Sequence, residues 1–205
     1  MKQSTTSLIR SCVFVSALCG ATFTAKSAMA LPHTHDGFYL QLDAGLGYLS
    51  SSASFAGQSQ KLSGVTFPTA ILLGGTVGPV VIGGGLISDY APSPSASVNG
   101  VSGTLSGVSM YLFSMGVFAD IYPNPSGGLH FQPFLGFGSL QLSYHGYTGN
   151  SATGIVIAGG VGYDWWVADE WSIGVMGRMA YAPLSVSGIG YSTIAPALLA
   201  TFTYH

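Results

Sequence analysis

The chain has 205 residues, a length that fits one domain, and only 6% of them are Asp, Glu, Lys or Arg, against about a quarter in an average soluble domain. So few charges exclude an ordinary water-facing surface, and five Lys and Arg against seven acids, a formal charge of −2, exclude the basic footprint of a nucleic-acid binder. Thirty glycines and a 12% aromatic content favour strands and turns over helices.

The first thirty residues read as a secretory signal. Lys2 and Arg10 give a basic start, Cys12 to Gly20 an apolar core, and Ser27-Ala28-Met29-Ala30 a small-x-small ending, so cleavage is expected after Ala30. Leu18 stands where a lipoprotein signal wants a small residue before Cys19, so lipidation is not expected. Both cysteines leave with the leader, and the exported chain has no disulfide to hold it. Lys2, Arg10 and Lys26 leave too; Lys61 and Arg178 then face seven acids, a formal charge of 2 − 7 = −5. Residues 31–36 read as a short mobile periplasmic tail. Within it, His33, His35 and Asp36 are ordinary ligand types for a divalent metal, but histidines two apart make a weak metal signal, and no metal or other cofactor is assigned.

From Gly37 onward the sequence alternates. Phe38, Leu40, Leu42, Ala44, Leu46 and Tyr48 share one face; Tyr39, Gln41, Asp43, Gly45 and Gly47 share the other. Period-2 alternation over about ten residues is what a tilted strand needs to cross a bilayer. The pattern recurs over about Val65–Val77, Val80–Tyr90, Val108–Tyr122, Leu129–Leu142, Gly154–Val167, Trp171–Tyr181 and Ile194–Tyr204. Asp89, Asp164 and Arg178 all fall on the faces opposite the apolar ribbons.

Three connections are tight: Gly78-Pro79, Pro123 to Gly128, and Ala168 to Glu170. Four read as longer loops: about Ser50 to Gly64, Ala91 to Gly107, Ser143 to Thr153, and Ala182 to Thr193. Short turns on one side and long loops on the other are the layout of an outer-membrane barrel. Aromatics gather at segment ends in two groups. Phe38, Tyr122, Phe131, Trp165, Trp171 and Tyr204 mark one rim; Tyr48, Phe67, Tyr90, Tyr111 and Tyr181 mark the other. A helical span over Ala70–Ile87 is cut by Gly78-Pro79 and weakened by two glycine clusters.

The leader, the eight segments and the ending Leu198-x-Ala200-x-Phe202-x-Tyr204 resemble the small outer-membrane β-barrels of Gram-negative bacteria, the OmpA-transmembrane/OmpX/OmpW-like group. The resemblance covers Gly37 to the C-terminus. It implies an all-β, eight-stranded antiparallel up-and-down transmembrane barrel over residues 37–205, integral to the cell outer membrane. It also implies secretion and barrel-assembly machinery as partners during biogenesis, with outer-membrane lipids around the wall. Phe202 and Tyr204 match the terminal aromatic signal that the assembly machinery reads, with His205 following.

An unpaired charge inside a narrow barrel is costly, so Arg178 needs a carboxylate. Counted from the periplasmic ends of their strands, Asp43 is the partner nearest in height, with Gln41, Asp89 and Asp164 as further lumen-facing polar groups. Ser143 and His145 share a face and resemble the serine–histidine pair of small-barrel lipid A deacylases, but no carboxylate stands beside them in the sequence. The reading is a non-enzymatic barrel with a structural or surface-interaction role and a lumen plugged by side chains. The alternatives are a narrow channel for small or apolar solutes and, beyond that, a lipid-modifying enzyme. Intact-mass measurement of the exported protein is expected to give a chain starting at Leu31; a mass retaining residues 1–30 would reject the leader.

Overall fold

The computed structural model describes residues 33–55, 58–145 and 147–205. The leader and its cleavage point lie outside the described residues. Eight long strands form one antiparallel wall: Phe38–Phe55, Gln58–Val77, Val80–Pro92, Val108–Ile121, Leu129–Tyr144, Ala152–Trp166, Trp171–Val186 and Ile189–Tyr204. Each pairs with the next in sequence, and the first closes on the eighth from Leu40↔Tyr204 to Ala53↔Tyr191. Closure leaves the wall without a free edge, the condition for strands to stand in hydrocarbon.

The ladder also fixes the slant of the wall. A walk around paired residues from Asp43 passes Ala70, Ile87, Ser114, Gly138, Gly154, Leu184 and Tyr191 and returns to the first strand at Ala53, ten residues further on. Eight strands with that stagger tilt by about 40°.

The tight turns fall where the sequence places them, at Val77↔Val80 and between Trp166 and Trp171. The other end differs from the expectation of long loops. Strands one and two run on to meet at Phe55↔Gln58, and strands seven and eight at Val186↔Ile189. Ser187 and Gly188 both have positive φ there, 50° and 79°, the backbone of a two-residue hairpin turn whose twist matches its strands. The second expected loop, Ala91 to Gly107, holds a small hairpin of its own, Ser95–Val98 against Val101–Thr104, which extends the edge of strand two; in the third, Ser143 to Thr153, Tyr147–Thr148 folds back on strand five. These extensions escape the membrane pattern because their outward positions are no longer apolar: Ser50, Ser52 and Ser54 continue the outward register of Leu46 and Tyr48.

Side chains alternate in and out along every strand. Leu46, Met115 and Leu198 are about two-thirds exposed on the outside, while Leu49, Met110, Leu112, Leu140, Val156 and Leu184 are buried inside. The inward glycines do two jobs. At Gly83 and Gly116 a Cβ would strike the backbone carbonyls of Leu73 and Leu135, so the next strand crosses too closely for any side chain. At Gly85, Gly160 and Gly162 the vacated space is taken by the side chains of Leu72, Met176 and His130. Gly177 faces outward with nothing within 4 Å of its Cβ position. Gly83→Val is therefore expected to cost at least about 2 kcal/mol, and Gly177→Ala to lie within about 0.5 kcal/mol of the parent. Urea unfolding of the refolded barrel in micelles measures both, and equal effects would contradict the close crossing.

Candidate functional site

The titratable groups of the interior gather toward the end of the barrel where strand one starts and strand eight finishes. Strand one sends Tyr39, Gln41 and Asp43 inward at alternate positions, all buried. Strand four adds Asp120, strand five His130 and Gln132, strand six Asp164, and strand eight Thr201. Asp120 is the hub. Its carboxylate accepts from His130 Nδ1 at 2.8 Å, from the Tyr39 hydroxyl at 2.7 Å, and from Gln132 Nε2 at 3.2 Å. Gln132 Nε2 also reaches Gln41 Oε1 at 2.8 Å, and Gln41 Nε2 donates to Asp43 Oδ1 at 2.7 Å. The Tyr122 hydroxyl sits 3.2 Å from both Asp120 and Asp164, and Thr201 donates to Asp164 at 3.0 Å. Seven of the eight strands are bridged when Arg178 and its partner are added.

That partner is not Asp43. Arg178 Nη2 bonds both oxygens of Asp89, at 3.2 and 3.1 Å, from across the barrel. Counting residues from strand ends ignores the stagger of the wall. The ladder sets Arg178 opposite Ala197, and Ala197 opposite Gly47, so Asp43 lies four residues further along its strand. Asp43 instead takes its hydrogen bond from Gln41, and Asp164 belongs to the tyrosine–histidine cluster. Arg178 keeps Nε and Nη1, and Asp43 keeps Oδ2, without a protein partner. Buried polar atoms of this kind are commonly met by internal water.

The tail also departs from expectation. It is not a free segment but lies across the mouth of the barrel. His33 N–H bonds the Asp169 carbonyl at 3.0 Å, and the His35 ring is buried, stacked on Tyr122 at 3.5 Å between centroids. Its Nε2 donates to the Gly127 carbonyl at 3.0 Å and its Nδ1 faces His205 Nδ1 at 3.0 Å. His205 Nε2 completes the chain at 2.9 Å from Ser172 Oγ. Burial pushes His35 down from 6.5 to about 4, against the pull of the Gly127 carbonyl and the Asp120 charge. Burial likewise takes His205 down to about 3, helped by repulsion from His35 and His130. Both imidazoles are therefore neutral near pH 7. Tyr122 turns into this mouth and is not part of the outer belt.

The remaining sequence candidates separate. Phe38, Tyr48, Tyr90, Tyr111, Trp165 and Tyr181 are exposed on the outer wall, while Trp171 and Tyr204 are half-buried against each other at 5.0 Å, with Tyr204 donating to Glu170 at 2.5 Å. Phe202 lies on the same surface, stacked on Trp171 at 4.6 Å. His33 goes to Trp166 rather than joining His35, and among the described residues no three His, Cys, Asp or Glu side chains are arranged to hold a metal. Ser143 and His145 border a surface cavity of about 260 Å³ with Tyr90 and Ser109, and no carboxylate lines it. His130 has a carboxylate partner like a catalytic histidine, yet it is fully buried and its Nε2 meets no hydroxyl or thiol. The inward parity of Asp120, His130 and Gln132 was readable; their convergence was not, because it depends on the stagger.

Removing one member of a buried ion pair strands the other. Asp89→Ala is expected to destabilise the barrel by about 3–5 kcal/mol, and the double variant Asp89→Ala/Arg178→Met to recover much of that loss. Asp43→Asn, which touches no arginine bond, is expected to cost less. Urea midpoints in micelles test the order; an Asp43 variant as costly as Asp89→Ala would restore the other pairing.

No protein-family model matches the chain, and no curated protein matches it in sequence. Solved structures do match its shape. Neisserial surface protein A superposes with a TM-score of 0.61 at 15% identity, over 82% of this chain and 97% of that one. OprG of Pseudomonas aeruginosa gives 0.54 at 12% identity, over 85% and 99%. Ail of Yersinia pestis, solved with the heparin analogue sucrose octasulfate, gives 0.51 at 13%, over 82% and 99%. With the wall closed, its outer face apolar and its length shared with these barrels almost end to end, the fold of this chain is that of the small Gram-negative outer-membrane β-barrels.

Proposed function

We propose that the mature chain is an integral outer-membrane protein with a structural or surface-interaction role, no enzymatic activity, and a lumen closed by its own side chains. The observation that carries this reading is the hydrogen-bonded network that ties opposite walls together through Asp120, His130, Gln132 and the Arg178–Asp89 pair. A passage for solute would have to break these bonds and leave buried charges unpaired. The outer half of the interior supports the same reading, since Leu49, Met110, Leu140 and Leu184 are buried in it and leave a cavity of only about 170 Å³ beside Leu140. In a bilayer the exposed outer wall meets lipid, and the aromatic rims at Phe38, Trp165 and Trp171 and at Tyr48, Tyr90, Tyr111 and Tyr181 sit at its two interfaces.

The surface role then falls to the hairpins beyond the outer rim. They are rich in serine and glycine, and Lys61 is the one Lys or Arg they carry. Ail's solved complex holds a sulfated sugar; a rim with a single lysine, on a chain whose formal charge is −2 and falls to −5 once the leader is removed, has little to offer such an anion. A neutral partner, met through hydroxyls and exposed Val98, Val101 and Tyr147, fits the rim better.

The outer-membrane fraction is expected to hold a band whose gel mobility changes on boiling, and the purified protein to give no conductance steps in planar bilayers. Steps that vary with Arg178→Ala would favour the narrow channel, and altered lipid A in overproducing cells would favour an enzyme. Recovery in the inner membrane without a heat shift would overturn the membrane-barrel reading itself.

A further inference from the structure

The flanks of strands one and eight meet at one mouth of the barrel, and they meet through a pair of imidazoles with room for one proton between them. His35 Nε2 points at the Gly127 carbonyl, which can only accept, so that nitrogen carries a hydrogen and His35 Nδ1 carries a lone pair. The 3.0 Å contact between the two Nδ1 atoms is then satisfied by a hydrogen on His205. That leaves His205 Nε2 to accept from Ser172 Oγ at 2.9 Å. Every position in the chain from Gly127 to Ser172 is filled. A first further proton is accommodated only if Ser172 turns to accept from His205 Nε2; a second sets the two Nδ1–H groups against each other.

We propose that His35 and His205 form an acid-released latch, which holds the tail across the periplasmic mouth while both imidazoles are neutral and frees it when they take up protons.

The surroundings set the pH range over which the latch loosens. The latch is roofed by Trp166, whose ring lies 4.9 Å from His35 and 4.8 Å from His205, and by Tyr122 and Tyr39. The charged and titratable groups facing it are Asp36 on the tail, Tyr39 on strand one, Asp120 and Tyr122 at the end of strand four, His130 on strand five, and Asp169 and Glu170 in the turn after strand six. Asp120 and Asp36 pull protons toward His35 and His130 repels them, while His35 and His130 repel them from His205. Burial outweighs both and keeps the docked pair neutral. A histidine whose docked pKa lies below its free value stabilises docking above the free value of about 6.5 and loses that contribution as pH falls toward the docked value. The window therefore opens below pH 6.5 and extends to about 4 for His35 and about 3 for His205. Released, the tail uncovers the tyrosines that stand over Asp120 and the polar interior.

The exported chain has no cysteine, so one introduced at the exposed His33 position can carry a spin label alone. With the full mature barrel in lipid vesicles, the label is expected to be immobilised at pH 7.5. Its docked-to-free ratio should fall below pH 6.5 by up to about 100-fold per unit, two protons being taken up. With His205→Gln the slope should drop to about 10-fold per unit, one proton remaining. With both histidines changed to Gln the pH dependence should vanish, whatever the resting mobility. Unboiled gel mobility at the acid end confirms that the barrel itself stays folded. A label still immobile at pH 4, or an unchanged transition in the double variant, would overturn the latch.

Discussion

Everything in this molecule depends on the closure of strand one against strand eight. A wall that faces hydrocarbon has no water to satisfy a loose strand edge, so its backbone groups must be paired all the way round. The Leu40–Ala53 and Tyr191–Tyr204 stretches supply the last of those pairs. Closure also converts a simple alternation into two environments. Positions that point outward become a lipid-compatible surface, and positions that point inward enter a space narrow enough for Arg178 to reach Asp89 and Gln132 to reach Gln41 across it. Prolines test this arrangement. Pro68, Pro133, Pro183 and Pro196 each keep their pairing on one side and interrupt the ladder on the other, because each lacks the N–H that the second neighbour would use.

The interior is asymmetric in chemistry. Aliphatic side chains pack the half beneath the long hairpins, while the hydrogen-bonded carboxylates, tyrosines, glutamines and histidine gather toward the termini. Burying so many polar groups is costly only if they are left unpaired. Here Asp120 alone collects donors from strands one and five, with Tyr122 at the end of strand four beside it. Such a network specifies which strands stand opposite which, a constraint that interchangeable aliphatic packing does not impose.

The sequence reveals the strands because lipid and lumen impose a strict two-residue period, as the run from Phe38 to Tyr48 shows. It also reveals the turns at Gly78-Pro79 and Ala168-Asp169-Glu170, where the chemistry of the chain breaks the pattern. The long hairpins were not legible as strands, because beyond the membrane Ser50, Ser52 and Ser54 carry no apolar signal. Arg178 was legible as an inward charge but its partner was not: height along a strand has meaning only once the stagger is known, and it sets Arg178 level with Gly47, four residues from Asp43. The docking of His35 was hidden for a different reason. It requires residue 205, at the far end of the chain, to arrive beside residue 35, a contact that no local pattern encodes.

That contact makes the seam self-reporting. His35 precedes the first strand and His205 follows the last, so they come within 3.0 Å only where those two strands have zipped down to their terminal ends. A barrel left ajar, or one closed with the wrong stagger, would hold the two rings apart, since each register slip moves one end by about 3.3 Å relative to the other. The imidazole pair is thus a checkpoint on the finished ring, placed at the single junction that the chain's own order leaves until last.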